Sequence, residues 1–483
     1  MPGGDSVAPL QVEANGINVI GDDERKGTPR QLFWPWFGAN VSVLGLSYGS
    51  FTLGFGISFW QAAIAGLVGI VFSFLLCGFV AVAGKRGSAP TMILSRAAFG
   101  VRGNWVATAI SWVLTVGWET VLTVLATLAT ATVFTQLGWG GGAPVKIIAL
   151  VVVAVLTIGG GVMGFDLIMR MQTVITIVTA VLTAVFIAFV IPHIDWAKVS
   201  AIPAGSTASV IGALVFLMTG FGLGWVNAAA DYSRYLPRST SSRAVIGWTT
   251  FGSALAPVVL LIMGLLLAGS SPDLNKAIAA DPIGALASVL PTWYLVPFVI
   301  VAVLGLVGGA VLNIYSSGLA LLAAGLKAPR FAAALIDGTI IILGTIYVAF
   351  FADDFLGPFQ GFLITLGTPI AAWCGVMLAD IASRRGGYAE ADLYDPKGRY
   401  GSVRWLAVGV VLVSTVVGWG LVTNTYADWL SWQGYLLGPL GLGGRDGSWA
   451  AANLGVLAAL VIAFVVTWAS QRSRVRAQEL VTV

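Results

Sequence analysis

A single carboxylate, Glu119, lies inside the otherwise uncharged stretch from residue 103 to residue 145. A charged group at the centre of a membrane helix costs at least ~2.5 kcal/mol, so Glu119 is expected to face a cavity or a partner. Its neighbour Trp118 could stack on a flat heterocycle while the carboxyl bonds an N–H edge or carries a proton. The alternative is a structural role, in which protonated Glu119 bonds a nearby backbone carbonyl.

Uncharged polar residues at membrane depth are further candidates for substrate contact. Asn40 and Ser47 lie in the first predicted membrane helix, and Asn313 lies in the eighth. Each of them could instead form hydrogen bonds between helices. Asp337 follows Arg330 by seven residues, which is ~10 Å along a helix, so it is expected to serve helix packing near the cytoplasmic face.

Two glycine-rich segments indicate where helices are interrupted. One covers residues 38 to 56 in the first predicted helix, and the other covers residues 220 to 227 in the sixth. Interrupted helices in matching places of two repeats are typical of the central site of a secondary transporter. Each segment alone could equally allow close helix packing, but the paired placement favours a site.

The composition indicates that these residues are positioned by membrane helices. The 483 residues are 58% hydrophobic and 10% charged, and their mean hydropathy is +0.91. Soluble domains carry roughly 25% charged residues, so a soluble enzyme or a nucleic-acid-binding protein is excluded. The sequence contains a lone histidine, His193, two cysteines in apolar stretches, and no nucleotide-binding motif. We therefore expect neither a metal site nor a cofactor.

Dividing the apolar stretches by the ~20 residues that cross a bilayer predicts twelve spans in an all-α integral membrane protein. The first stretch holds two spans with a turn near residues 58 to 61, and a short surface helix is expected before the eighth span. The stretches are 31 to 84, 103 to 145, 147 to 165, 171 to 194, 199 to 230, 244 to 272, 282 to 326, 331 to 352, 355 to 379, 405 to 427 and 447 to 471.

The distribution of basic residues predicts the orientation. Of the 25 Lys and Arg, 21 fall on the side of the N-terminal tail, and Lys146, Lys198, Lys276 and Arg445 fall on the other. Basic loops remain cytoplasmic, so both termini are expected in the cytoplasm and the chain in the cell membrane. The polar first 30 residues predict no cleavable signal peptide. The only partner that the basic charge itself indicates is anionic lipid of the bilayer.

Three short motifs carry a resemblance to a known family. They are WPWFGAN at residues 34 to 40, RAAFGVRG at residues 96 to 103 followed by VGW at 116 to 118, and DYSRYLP at residues 231 to 237. In this order and spacing the chain resembles the nucleobase:cation symporter-1 family, and within it the purine and cytosine permeases. The likeness covers nearly the whole chain.

The resemblance implies a five-plus-five inverted repeat with broken first and sixth helices, followed by two further helices. It divides the chain into a cytoplasmic tail (1–30), a first repeat (31–194), a second repeat (199–381), a cytoplasmic loop (382–404), helices eleven and twelve (405–471) and a C-terminal tail (472–483). It also implies a flat substrate bound near Trp118, with Phe221 and Trp225 in the opposite wall and Asn313 bonding the base.

Two departures from the family pattern bear on the coupling ion. Sodium-coupled members use first-helix carbonyls and eighth-helix hydroxyls, but residues 306 to 310 here contain no hydroxyl. A hard cation needs several oxygen ligands. The second departure is Glu119 directly after Trp118, a proton carrier that the sodium-type pattern lacks, so proton coupling is favoured over sodium. The predicted function is import of cytosine or purine bases by proton symport. Transport of uracil, allantoin, hydantoin or a thiamine precursor, with either ion, is the alternative.

Two other classes of protein fit the sequence less well. A membrane enzyme would need clustered His, Cys or carboxylate residues at one membrane face, and the sequence has no such cluster. A channel would not need the paired helix interruptions that mark a transporter's site. We therefore predict a transporter without catalytic residues.

Overall fold

The computed structural model describes residues 16–163, 165–351, 356–424 and 428–480, and these residues form α-helices, short 3₁₀ helices and loops without a strand. The first 15 residues of the predicted tail and the last three of the chain lie outside the described residues. The helices are α1 (Phe33–Asn40), α2 (Leu44–Leu53), α3 (Phe59–Gly87), α4 (Thr91–Leu94), α5 (Arg96–Phe99), α6 (Trp105–Gln136), α7 (Ala143–Met163), α8 (Phe165–Val190), α9 (Trp196–Ser200), α10 (Thr207–Gly220), α11 (Ala229–Ser233), α12 (Ser242–Ser270), α13 (Pro272–Ala280), α14 (Gly284–Ala287), α15 (Leu295–Ala323), α16 (Arg330–Phe351), α17 (Leu356–Ser383), α18 (Trp405–Trp419) and α19 (Leu454–Leu480).

Ten helical segments in the described part of the chain are long and apolar enough to cross a membrane. One of them is the interrupted stretch from Thr207 to Ser233, which contains α10 and α11. The helix α18 is apolar but shorter, and α1 and α2 are each too short to cross alone. Many apolar side chains of α7, α8 and α16 are exposed, as expected for helices that face lipid.

Two helices are interrupted, and both interruptions fall in the glycine-rich segments that the sequence singles out. Residues 41 to 43 separate α1 from α2. Phe221 and two 3₁₀ turns, Gly222–Gly224 and Val226–Ala228, separate α10 from α11. Neighbouring helices satisfy part of the freed backbone, as such breaks require. The Gly222 amide donates to Ser73 Oγ at 3.1 Å, and Gly222 O accepts from Cys77 Sγ at 3.0 Å.

The backbone can come this close to α3 only because residue 222 is glycine. A Cβ atom there would lie 2.2 Å from the carbonyl carbon of Ser73. The interrupted end of α10 therefore packs directly against the backbone of α3. The helix α15 packs against α6, and α1 packs against α12, α8 and α15. This arrangement brings the broken segments, α6 and α15 together in the interior.

A short 3₁₀ helix, Thr292–Tyr294, directly precedes α15, and Thr292 and Trp293 are exposed, in agreement with the short surface helix predicted before the eighth span. The preceding helix α14 differs, because all four of its residues are buried. Its side chains are small, so it can pack against α6, where Gln136 Nε2 donates to Gly284 O at 3.2 Å. Asp281 accepts from the Gly284 amide at 2.9 Å and fixes the start of this helix.

Candidate functional site

The two interrupted segments meet at one buried cavity. Its volume is about 50 Å³, which holds a few water molecules. The lining comes from both broken helices and from α6 and α15, and none of the lining side chains is charged. The lining residues are Ala39, Asn40, Ser42, Leu44, Gly45, Tyr48, Trp118, Leu122, Gly220, Phe221, Trp225 and Asn313.

Aromatic rings form much of the cavity wall. Tyr48 and Phe221 lie with ring centroids 4.5 Å apart at an interplanar angle of 41°. Trp118 packs edge-on against Phe359 of α17, with centroids 5.6 Å apart, and Trp225 packs edge-on against Trp36 of α1 at 5.7 Å. Rings held at several angles by other rings offer flat faces on which a planar ligand can stack.

Two polar atoms in this region are buried without a hydrogen-bond partner. They are Trp118 Nε1, a donor, and Asn313 Oδ1, an acceptor. The amide nitrogen of Asn313 donates to Gly309 O at 3.1 Å, which fixes the side chain. Asn40 is fixed in the same way, because its Nδ2 donates to Trp36 O at 2.8 Å. A buried polar atom without a partner is costly unless a ligand or water completes it.

The structure brings five of the predicted candidate contact residues to this cavity: Asn40, Trp118, Phe221, Trp225 and Asn313. Their helices are far apart in the sequence, and they meet because the breaks in α1–α2 and α10–α11 open a space beside α6 and α15. The cavity therefore contains a flat-ring surface, a donor and an acceptor within one uncharged lining.

Ser47, also a predicted contact residue, is not in the cavity lining. Its hydroxyl donates to Pro282 O at 2.6 Å, in the segment between α13 and α14. The helical period explains this placement, because the residues that line the cavity from α2 are Leu44, Gly45 and Tyr48. Ser47 is one residue before Tyr48 and so points about 100° away.

Glu119 is likewise absent from the cavity lining, although it follows Trp118 directly. Its side chain is fully buried, and neither carboxyl oxygen has a hydrogen-bond partner. Its polar neighbours are Ser317 of α15 and Asp337 of α16. The structure therefore does not support direct contact between Glu119 and a ligand in this cavity. The carboxyl lies behind the wall that Trp118 forms.

Tyr48 and Leu122 are cavity residues that the sequence analysis missed. Tyr48 lies one helical turn after Leu44, and its hydroxyl donates to Gly220 O at 3.3 Å, so it links the two broken helices. Leu122 lies one turn after Trp118. For Leu122 the available signal was the i, i+4 spacing from the predicted Trp118, which places both side chains on the same helix face. For Tyr48 no predicted cavity residue lies at that spacing.

A glutamine from α8 reaches residues 306 to 310 of α15, the stretch that contains no hydroxyl. Gln172 Nε2 donates to Gly308 O at 2.7 Å. Its Oε1 lies so close to α1 that a Cβ atom on Gly38 would be 2.3 Å away. The Gln172 amide is fully buried and fills the space between α1 and α15.

Comparison with known families supports the assignment of this site to a transporter. Residues 19–438 match the model of the family described as "Permease for cytosine/purines, uracil, thiamine, allantoin". This match covers both interrupted helices and every residue of the cavity lining.

Two curated relatives carry names from the same family. The purine-cytosine permease YxlA of Bacillus subtilis (strain 168) is 25% identical over 91% of this chain and 93% of its own. The purine-cytosine permease FCY2 of Saccharomyces cerevisiae is 25% identical over 53% of this chain and 48% of its own.

The fold agrees with that of a solved transporter. Mhp1, a nucleobase-cation-symport-1 family transporter solved in a closed conformation with bromovinylhydantoin bound, superposes with a TM-score of 0.69 at 17% identity, over 97% of this chain and 96% of its own. An inward-facing conformation of Mhp1 superposes with a TM-score of 0.65. The sequence motifs, the family match and the fold agree, and the chain belongs to the nucleobase:cation symporter-1 family of membrane transporters.

Proposed function

We propose that this protein imports cytosine or purine bases across the cell membrane by proton symport. The observation that carries the proposal is the uncharged, aromatic cavity at the two helix breaks, in which Trp118 Nε1 and Asn313 Oδ1 have no partner. An uncharged lining fits a neutral ligand, because a charged one would lose its hydration without a compensating charge.

The two unpartnered atoms also define the edge of the ligand. A ring that presents both an acceptor and an N–H donor could accept from Trp118 Nε1 and donate to Asn313 Oδ1. Cytosine, purines and uracil all carry such edges, and so do hydantoin and allantoin. These ligands differ by one or two hydrogen bonds, and the names of the relatives favour cytosine and purines.

The coupling ion is proposed to be the proton. The stretch 306 to 310 supplies no hydroxyl for a cation, and the Gln172 side chain fills the adjacent space between α1 and α15. Glu119 is a carboxyl group that directly follows Trp118 of the cavity wall in the sequence, and it can carry a proton through the membrane interior. Sodium coupling is the competing proposal.

For the architecture we propose twelve spans with both termini in the cytoplasm. The ten long segments, the broken pair α1–α2 and the shorter α18 together supply this number. The proposed division is a five-helix repeat over 31–194, a second over 199–381, and two further helices over 405–471. The two interruptions then occupy equivalent positions, each in the first helix of its repeat.

The small volume of the cavity supports transport by alternating access. A space of about 50 Å³ does not admit a nucleobase until the walls move apart. The two interrupted helices supply backbone that can bend at that point.

The test is uptake of radiolabelled cytosine into proteoliposomes that contain the full chain, with protein-free liposomes as the control. An inward proton gradient is compared with an inward sodium gradient at equal membrane potential. Uptake driven by the proton gradient and competed by unlabelled adenine or hypoxanthine supports the proposal. Uptake driven only by sodium refutes the assigned ion, and selective competition by uracil, allantoin or hydantoin refutes the assigned substrate.

A further inference from the structure

A second carboxyl group lies next to Glu119 in the interior. Asp337 of α16 is fully buried, and its Oδ2 atom has no hydrogen-bond partner. Its Oδ1 atom accepts from Trp112 Nε1 of α6 at 2.8 Å. The two carboxyls are close enough to interact electrostatically, and α6 packs directly against α16. The cavity lining contains neither of them.

The hydroxyl of Ser317 is within reach of both carboxyls. This residue lies on α15, which packs against α6 and α16, and it interacts with Glu119 and with Asp337. In the structure its Oγ donates to Ile314 O at 3.3 Å, a weak bond from which the hydroxyl can rotate. Rotation away from Ile314 O would allow this one hydroxyl group to bond either carboxyl.

No basic side chain in the described part of the chain contacts either carboxyl. The groups that face Glu119 are Ser317 and Asp337, and those that face Asp337 are Trp112, Ser317 and Glu119. Two buried carboxylates without a cation cannot both be ionised at acceptable cost, so the pair must hold at least one proton.

The two members of the pair differ in how well they tolerate a negative charge. Asp337 receives an N–H donor from Trp112, whereas Glu119 has no donor to either oxygen. A hydrogen bond to an ionised carboxyl stabilises the ionised form. When the pair holds a single proton, the negative charge is therefore more stable on Asp337 than on Glu119. Asp337 also lies only ~10 Å along α16 from its first residue, at the proposed cytoplasmic end.

We propose that Asp337 is the proton-release group of this transporter, and that it receives the proton of Glu119 through Ser317. This inference rests on the proposed proton symport. In the transfer, Glu119 gives its carboxyl proton to Ser317 Oγ while the hydroxyl proton of Ser317 passes to Asp337 Oδ2. Ser317 is unchanged, Glu119 becomes the carboxylate and Asp337 the acid. Glu119 is then reloaded, so that both carboxyls are protonated, and only after this does Asp337 release its proton toward the cytoplasm. The pair therefore holds at least one proton throughout the cycle.

The test separates substrate movement from proton coupling in the same proteoliposomes. Exchange of labelled for unlabelled cytosine without any gradient measures substrate movement alone. Accumulation under an inward gradient of about one pH unit, which supports at most about tenfold accumulation at one proton per cytosine, measures coupling. The variants are Asp337→Asn, which removes the titratable group, and Asp337→Glu, which keeps it.

We expect Asp337→Asn to keep exchange within about threefold of the wild type while accumulation falls to the level without a gradient. Asp337→Glu should retain accumulation, because the carboxyl is still present. A merely structural role for Asp337 would impair exchange and accumulation together. Accumulation by Asp337→Asn equal to that of the wild type overturns the relay and leaves the proposed proton symport intact.

The bridging hydroxyl provides a second test that does not depend on Asp337→Asn folding. Ser317→Ala should lower the initial rate of proton-driven accumulation about tenfold or more at unchanged exchange, and Ser317→Thr should restore it. An unchanged rate in Ser317→Ala contradicts the relay. If the wild type exchanges cytosine but shows no response to the proton gradient, proton symport itself is wrong and the relay falls with it.

Discussion

Trp118 and Glu119 are consecutive residues of α6, but Trp118 lines the central cavity and the carboxyl of Glu119 is buried behind that wall, beside Ser317 and Asp337. Consecutive side chains on an α-helix differ in direction by about 100°, which accounts for the separation. One turn of α6 therefore faces the proposed substrate on one side and the proposed proton site on the other. A small movement of this turn can change both environments together, which is what coupled transport requires.

The Trp118 indole is expected to contribute both a flat face and a hydrogen bond. Trp118→Phe keeps a ring but loses the N–H donor, so the KM for uptake should rise about tenfold, equivalent to ~1.4 kcal/mol. Trp118→Ala also loses the stacking surface and should raise the KM about 100-fold or more. Trp105→Phe is the matched control, because Trp105 begins the same helix and is 63% exposed. A KM unchanged in Trp118→Phe contradicts the proposed bond.

Ser47 is expected to affect stability and not substrate affinity. Ser47→Ala loses a buried hydrogen bond to Pro282 O and should lower the free energy of unfolding by about 1–2 kcal/mol. The concentration of unlabelled base that halves labelled uptake should stay within about twofold of the wild type, since Ser47 does not line the cavity. Both effects can be measured on one preparation, by thermal inactivation in detergent and by competition. A large loss of affinity at unchanged stability would indicate that Ser47 contacts the substrate and would contradict this prediction.

Gly224 is expected to be required for the position of the Trp118 indole. A Cβ atom at residue 224 would lie 2.8 Å from Trp118 Nε1, so Gly224→Ala must displace the indole or the interrupted segment. We expect cytosine uptake to fall about tenfold or more while the protein remains folded. Gly247→Ala in α12 is the control, because a Cβ atom there meets no other atom within 4 Å. Normal uptake by Gly224→Ala would mean that the indole does not need this position.

Gln172 is expected to connect α8 to α15 by its own hydrogen bond, with no sodium ion bound between the helices. Replacing sodium with choline at a constant proton gradient should leave the wild-type uptake rate within about twofold. Gln172→Ala loses the bond to Gly308 O and should lower the free energy of unfolding by about 1 kcal/mol. Stabilisation of the wild type by sodium in a thermal inactivation assay would instead indicate a bound cation and contradict the proposed coupling.

Several features of this protein follow from the sequence because they depend on local composition. The shortage of charge and the long apolar stretches require membrane helices, since lipid cannot satisfy an unpaired backbone. The glycine-rich segments locate the two helix interruptions, and the three motifs identify the family. Trp118 and Asn313 could be predicted as site residues because a large indole and an amide at membrane depth are expected to face a cavity or a hydrogen-bond partner.

The tertiary structure decided which side of each helix faces the site. Tyr48 lines the cavity and Ser47 does not, and Trp118 lines it while Glu119 does not. In a soluble protein the polar face of a helix reveals its orientation, but in a membrane the lipid and the protein interior are both apolar. The hydrophobic pattern therefore carries little information about how each helix is rotated about its own axis. Only packing between helices distant in the sequence placed Glu119, Ser317 and Asp337 together and brought Gln172 to the carbonyl of Gly308.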